Sequence, residues 1–384
     1  MKAPIYLDYN ATTPCHPEVL EEMLPFFTKH FGNAASKHHP YGWIAEEAVE
    51  LARARVAQAI GAKPKEIIFT SGATEAINQA IKGTYFNFEG ERQHYITCLT
   101  EHKAVLDTFQ TLESWGAEVT YLPVNGKGEI DLSILQASLR PHTKMIALMW
   151  ANNETGLIHP MDEIFAIAER HGVILFTDAV QGVGKIPVTT SHCHLMALSA
   201  HKFYGPKGVG ALFIRHNDTF AKPKQILDGG NHEKGFRSGT LNVPGIVGMG
   251  KAAEIARKSI GSNSTQMEEL RNSLENAICQ LPGISINGSV SHRLPHVSNL
   301  AFEGVQGEDL LFQLNKTIAC SSGSACSSIT PKASHVLKAM GLSDEQGKAS
   351  IRFSLGWSTT KEDIEIAIQA VRECVEKLRV SSGQ

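Results

Sequence analysis

The sequence predicts an α/β protein, with a large domain built on a mostly parallel sheet and a smaller α+β domain behind it. Three observations carry that expectation. From residue 66 onward short apolar runs alternate with polar or glycine clusters and helical patterns, which is the grammar of βα units. At 384 residues the chain is long enough for more than one domain. Beyond residue 280 the regular alternation gives way to a mixture of strands and helices.

Taken in order, Leu7-Asp8-Tyr9-Asn10-Ala11-Thr12-Thr13-Pro14 is dense in turn formers and reads as an arm or loop. A helical pattern begins near Pro17 and holds Val19, Leu20, Met23 and Leu24. The small-residue loop 31–36 precedes a helix over 41–60, with Gly61 as its stop. The alternation then begins. Ile67-Ile68-Phe69 runs into Thr70-Ser71-Gly72-Ala73-Thr74-Glu75, and the run 95–99 into Thr100-Glu101-His102-Lys103. The run 145–150 leads to Ala151-Asn152-Asn153-Glu154, 173–176 to Thr177-Asp178-Ala179-Val180-Gln181, and 195–198 to Ser199-Ala200-His201-Lys202. Residues 210–214 give one further strand after the turn Gly205-Pro206-Lys207-Gly208. Ligands of open α/β sheets bind outside the carboxyl ends of the strands. Five strands here deliver unusual polar residues at that end, and chance decoration would scatter them.

The glycine-rich stretch 229–240 is a long loop of the kind that is functional or disordered. Residues 244–281 are helical in pattern but interrupted at Gly261-Ser262-Asn263-Ser264, and the domain boundary falls inside this segment. Strands are expected at 284–286, 297–302, 317–320 and 351–355. The last helix places Ile364, Ile368, Val371, Val375 and Leu378 on one packing face.

Hydrophobic residues at 42% and charged residues at 20% exclude disordered and fibrous classes. A net charge of -3 gives no basic footprint for nucleic acid. Neither a signal-peptide pattern nor a run of eighteen apolar residues occurs, so a cytoplasmic protein is expected, with no membrane. The seven cysteines are scattered without a CxxC pair, and most should be buried thiols with one reactive.

Lys202 sits at the mouth of a strand beside Ser199 and His201, where desolvation and cationic neighbours lower an amine's pKa. An unprotonated amine condenses with an aldehyde such as that of pyridoxal phosphate; an isolated lysine is otherwise a solvated one. Asp178 suits the pyridinium nitrogen of that cofactor, or else a helix N-cap. Gly72-Ala73-Thr74 suits a phosphate at a helix N-terminus, or else an ordinary cap. His102 is placed to stack on a ring and move protons. His192-Cys193-His194 has metal-ligand character but no second cluster to complete a site. Cys326 lies in Ser321-Ser322-Gly323-Ser324-Ala325-Cys326-Ser327-Ser328, a run of small residues in which an exposed thiol is a liability unless it reacts. Arg352, mid-strand among apolar neighbours, needs an anion, either a substrate carboxylate or an internal salt-bridge partner.

These stretches, with Arg237-Ser238-Gly239-Thr240 and Arg352-Phe353-Ser354-Leu355-Gly356, occur in the order in which they stand in cysteine desulfurases of the NifS/IscS type. The chain resembles that group, within the class V aminotransferases and fold type I pyridoxal phosphate (PLP) enzymes, over essentially its full length. The resemblance implies a seven-stranded sheet in a large domain, 16–255, a small domain, 256–384, and an arm, 1–15, that belongs with the small domain. It implies removal of sulfur from L-cysteine, giving L-alanine and a persulfide on Cys326, which passes to an acceptor protein for iron–sulfur cluster assembly or thiolation of tRNA or DNA. Lys202 would hold PLP, Asp178 its ring nitrogen and Gln181 its phenolic oxygen, with His102 stacked. Ala73, Thr74, Ser199 and His201 would hold the phosphate, joined by Thr240 from the other subunit of a homodimer. Asn153 and Arg352 would fix the substrate carboxylate. No resident metal is implied, although Cys326 would be able to ligate an iron–sulfur cluster transiently. Tyr9 and Trp357 depart from residues frequent in the group, asparagine and arginine. Selenocysteine lyase and other class V aminotransferase activity on this fold are the enzymatic alternatives, and a PLP-binding scaffold without turnover is the non-enzymatic one.

Overall fold

The computed structural model describes residues 3–216, 221–322 and 333–381. Among the described residues twelve strands form three sheets. They are β1 (Ile5–Tyr6), β2 (Ile67–Thr70), β3 (His94–Cys98), β4 (Glu118–Leu122), β5 (Thr143–Ala147), β6 (Ile174–Asp178), β7 (Leu195–Ser199), β8 (Gly210–Ile214), β9 (Ile284–Ile286), β10 (Val297–Phe302), β11 (Ile318–Ala319) and β12 (Ser350–Ser354). The main sheet has seven strands in the order β2-β8-β7-β6-β5-β3-β4. β8 alone runs against the other six strands of this sheet, as expected of a strand that returns directly through a glycine turn.

Strand periodicity divides this sheet's side chains between two cores. Ile67, Phe69, Ile146, Leu175, Met196 and Phe213 face the helices Pro40–Ile60, Met161–His171 and the start of Val243–Ile278. Ile68, Tyr95, Met145, Phe176, Leu195 and Leu212 face Ala73–Asn87 and Lys103–Ser114. Both faces of the sheet are covered, which explains why its inner strands read as continuous apolar runs. β4 escapes that pattern because it is an edge strand, half-buried along most of its length.

A second sheet, β12-β10-β9, is antiparallel, and β1 pairs in parallel with β11. Leu7, Leu300, Phe302, Ile351 and Phe353 pack there with Leu274 and Ile278 and with Ile364, Val371 and Val375 of the helix Lys361–Ser381. The expected packing face of the last helix is therefore used as such. The interruption expected at 261–264 is absent: Val243–Ile278 is one helix of 36 residues. Its serines and threonines remain helical by bonding back to their own turns, Ser264 Oγ to the Ile260 carbonyl at 2.6 Å and Thr265 Oγ1 to Gly261 at 3.2 Å.

The loop 229–240 is tied down. Glu233 accepts both Nη atoms of buried Arg53, at 2.8 and 2.7 Å, and the Phe69 N–H at 2.7 Å. No helix among the described residues is long and apolar enough to cross a membrane.

Candidate active site

The carboxyl ends of β2, β3, β5, β6 and β7 converge on a cavity of about 460 Å³. Ala73, Thr74, His102, Asn153, Asp178, Gln181, Ser199, His201, Lys202 and Arg352 all line it, so ten of the expected site residues come together. Thr240 does not: it is exposed on this chain and outside the cavity lining. Cys326 lies outside the described residues; Ser321, on the same stretch, lines the cavity.

At the β7 end, β8 approaches so closely that a Cβ on Gly210 would stand 2.7 Å from Gly72 Cα and 2.5 Å from the Leu198 carbonyl. Only glycine lets the two loops meet there. Lys202 then reaches across the cavity to the arm, its Nζ donating to the carbonyls of Asn10 at 2.6 Å and Ala11 at 2.8 Å. His201 is pushed down to about 4 by burial and by Lys202, Lys207 and Lys185, so it is a neutral ring at physiological pH. Its Nδ1 lies 3.1 Å from Thr12 Oγ1.

Asp178, at the tip of β6, accepts the Val180 N–H at 3.0 Å. Burial pushes its carboxyl up, against the opposing pull of His102, the Val180 N–H and Lys202. A buried acid of this kind gains from a cationic partner. His102 caps the helix Lys103–Ser114, its Nδ1 accepting the Ala104 N–H at 3.1 Å. That bond leaves Nε2 as the ring atom available for proton exchange. Next to it, burial and the nearby Asp178 hold Glu101 well above the carboxylate range.

The two asparagines after β5 divide the work. Asn152 Oδ1 accepts the N–H groups of Glu154 and Thr155, at 2.9 and 3.0 Å, and so shapes the turn. Asn153 is left to line the cavity. Its carbonyl accepts Arg352 Nη1 and Asn10 Nδ2, both at 2.9 Å. Arg352 also pairs with Asp8 at 2.6 Å, so the internal salt bridge is real. Two of its five N–H groups are thereby used, and Nε has no partner among the described residues.

Sequence reasoning missed Asn10, Lys185 and Lys207. Asn10 and Lys207 line the cavity. Asn10 joins the Lys202, Gln181, His296 and Asn153 contacts. His194, one of the metal-like pair, instead receives the Leu175 N–H on Nδ1 at 2.8 Å and faces Glu169 through Nε2 at 2.7 Å. All six described cysteines have thiols pushed up by burial, Cys98 to about 11 and Cys193 and Cys320 to about 12. None of them suits a reactive thiolate.

The donor set fits pyridoxal phosphate. It provides a lysine for the aldehyde, a buried acid for the ring nitrogen, and hydroxyls with a helix N-terminus for the phosphate. The cavity is of a size that takes such a ligand.

Residues 5–366 match the family described as aminotransferase class-V. The cysteine desulfurase IscS of Anaeromyxobacter dehalogenans (strain 2CP-C) is 51% identical to this chain, over 100% of it and 95% of the relative. Among solved structures, a NifS-like protein superposes with a TM-score of 0.90 at 36% identity, covering 98% of this chain and 99% of that one. A structure of SspA in complex with cysteine superposes with a TM-score of 0.81 at 35% identity, covering 91% and 98%.

Proposed function

The chain belongs to the class-V aminotransferase family and is a cysteine desulfurase, and on that premise we propose that it moves the sulfur of L-cysteine onto Cys326 and from there to an acceptor protein. The observation that carries this assignment of roles is the convergence of Lys202, Asp178, His102 and Arg352 on one cavity. Pyridoxal phosphate, when bound, supplies an aldehyde and an electron-accepting ring. Lys202 would hold the aldehyde and Asp178 the ring nitrogen with its proton, while Gln181 would donate to the phenolic oxygen. Ala73, Thr74, Ser199 and His201 would bind the phosphate, with Thr240 of the partner subunit completing the cradle in a homodimer. The exposure of Thr240 on its own chain is consistent with that use.

Arg352 and Asn153 would orient the substrate carboxylate, and His102 would exchange a proton at Nε2. The thiolate of Cys326 attacks the substrate sulfur. The Cβ–S bond breaks as the S–S bond forms, and the electron pair left on carbon takes up a proton to become the methyl group of L-alanine. Cys326 keeps the sulfane sulfur as a persulfide. Elimination supports this choice, because burial raises every described thiol. The acceptor would serve iron–sulfur cluster assembly or thiolation of tRNA or DNA. We also divide the chain into an arm, 1–15, a large domain, 16–255, and a small domain, 256–384. The separate apolar clusters support that division, and the helix Val243–Ile278 contributes to both.

The test is mass spectrometry of the chain after L-cysteine, with alanine measured in parallel. One added sulfur on the Cys326 peptide and its absence in Cys326→Ala, together with loss of alanine formation, is the expected result. Sulfur on Cys320 or Cys98, or normal turnover by Cys326→Ala, sinks the reading.

A further inference from the structure

Below the cavity, the turn that follows β6 buries an amine for which the roles above give no use. Gly184 adopts a φ of 78°, and a Cβ there would stand 2.7 Å from Phe203 Cβ, so the chain bends tightly against the residue after Lys202. The bend directs Lys185 inward, where it is 4% exposed. Its own carbonyl lies 2.6 Å from Ser264 Oγ, whose one proton is shared with the Ile260 carbonyl. Its Nζ donates to Gln181 Oε1 at 3.0 Å, and Gln181 Nε2 donates to the Asn10 carbonyl at 3.1 Å. That carbonyl is the one that accepts Lys202 Nζ.

The two ends of the Gln181 carboxamide are thus assigned by chemistry. A backbone carbonyl can only accept, so the end facing Asn10 is the NH₂ group, and the oxygen is left for the lysine. We propose that Lys185 is a positioning residue that locks the Gln181 carboxamide with its N–H groups toward the cavity and its oxygen away from it. Burial, reinforced by Lys202 and Arg352, holds the Lys185 amine well below its ordinary value. His296, another neighbour, is likewise held well down by burial, Lys185, Arg271 and Arg352. The amine donates to Gln181 Oε1 in either protonation state. A free carboxamide would rotate and offer its oxygen to an oxygen of the ligand, turning an attraction into a repulsion.

The inference rests on the assignment of Gln181 to the phenolic oxygen of the cofactor. An N–H donated to that oxygen stabilises its anion, so losing the donor raises the pH midpoint of the bound cofactor's visible absorbance. Holoprotein reconstituted with pyridoxal phosphate is titrated spectrophotometrically as wild type, Lys185→Met, Lys185→Gln, Gln181→Met and the Lys185→Met/Gln181→Met double variant. Lys185→Met and Gln181→Met should each raise the midpoint by about one pH unit, the scale of one hydrogen bond to a charged group. The double variant should rise no further than Gln181→Met, and Lys185→Gln, which keeps a donor, should stay with wild type. If Gln181→Met moves the midpoint and Lys185→Met does not, the positioning role is overturned and the Gln181 assignment stands. If neither moves it, the Gln181 assignment falls and the inference falls with it. Additive shifts in the double variant overturn it too, because Lys185 then acts independently of Gln181. Should Lys185→Met not accumulate as folded protein, Lys185→Leu, which likewise lacks the donor, takes its place with the same outcomes.

Discussion

Replacing Arg352 by lysine tests the substrate side of the site most sharply. The guanidinium spends one N–H on Asp8 and one on the Asn153 carbonyl, which leaves a second N–H on each Nη for an incoming carboxylate. Lysine keeps the charge but loses the planar fork, and its single ammonium would be drawn to Asp8. A hydrogen bond to a charged group contributes about 1.5–3 kcal/mol, so loss of one arm of a bidentate pair should lower kcat/KM roughly 10- to 150-fold. Most of the change should fall on KM, because the carboxylate is bound alike before and during the reaction. Asp8→Asn, which removes the competing anion, should lower KM instead of raising it. The assay is alanine formation against L-cysteine concentration, with urea midpoints to confirm that both variants are folded. If Arg352→Lys retains kcat/KM within threefold, the arginine serves its internal salt bridge and nothing else.

Three further outcomes follow from the same geometry. Asp178→Asn should still bind the cofactor but lose turnover at least a hundredfold, as an amide cannot keep a proton on the ring nitrogen; unchanged turnover would contradict the role. Burial pushes Glu154 up to about 7, against the Ser334 hydroxyl and Arg352. Its folded value therefore lies above its unfolded one, so its contribution to stability is complete below pH ~4.5 and is lost as pH rises through about 7. Glu154→Gln should accordingly gain on wild type in urea unfolding between pH 6 and 8, by on the order of 3 kcal/mol at most, and a constant difference between pH 5 and 8 would rule this out. Glu233→Ala strands the buried Arg53 guanidinium and the Phe69 N–H, at a cost of about 3–5 kcal/mol. Adding Arg53→Met should recover most of that loss, and a single-variant cost below about 1 kcal/mol would show the pair to be dispensable.

Much of the site was legible because the parallel sheet segregates its chemistry. Strands buried on both faces read as apolar runs, and polar residues such as Asp178 and Lys202 stand out where those runs stop. β4 was illegible for the converse reason, since its half-buried residues form no run. The continuity of Val243–Ile278 was hidden by residues that favour turns unless their hydroxyls are bonded within the helix, as those of Ser264 and Thr265 are. Lys185 looks like any surface lysine in the sequence. Only the bend at Gly184 buries it, and that bend depends on contact with Phe203, nineteen positions away and on another strand's end. The roles of Cys326 and Thr240 came from resemblance. Asn10 gave no signal, because an asparagine in a turn-rich arm is what an arm requires.

The arm has a consequence for the order in which the protein can mature. Residues 5–13 leave the ribosome long before their partners, so β1 must wait for β11, and Asp8 and the Asn10 N–H wait for Arg352 and Ser354, 344 positions later. Thr13 can already bond His201, but until then nothing fixes Asp8 against Arg352. Such distant contacts are the slowest to form, because the whole intervening chain must be closed into a loop. A nascent chain can therefore build most of its main sheet while the pocket still lacks one wall. The arm that faces Lys202 and the arginine proposed for the substrate carboxylate are completed by the same late event, so synthesis that stops before β12 should leave a folded sheet with an incomplete site.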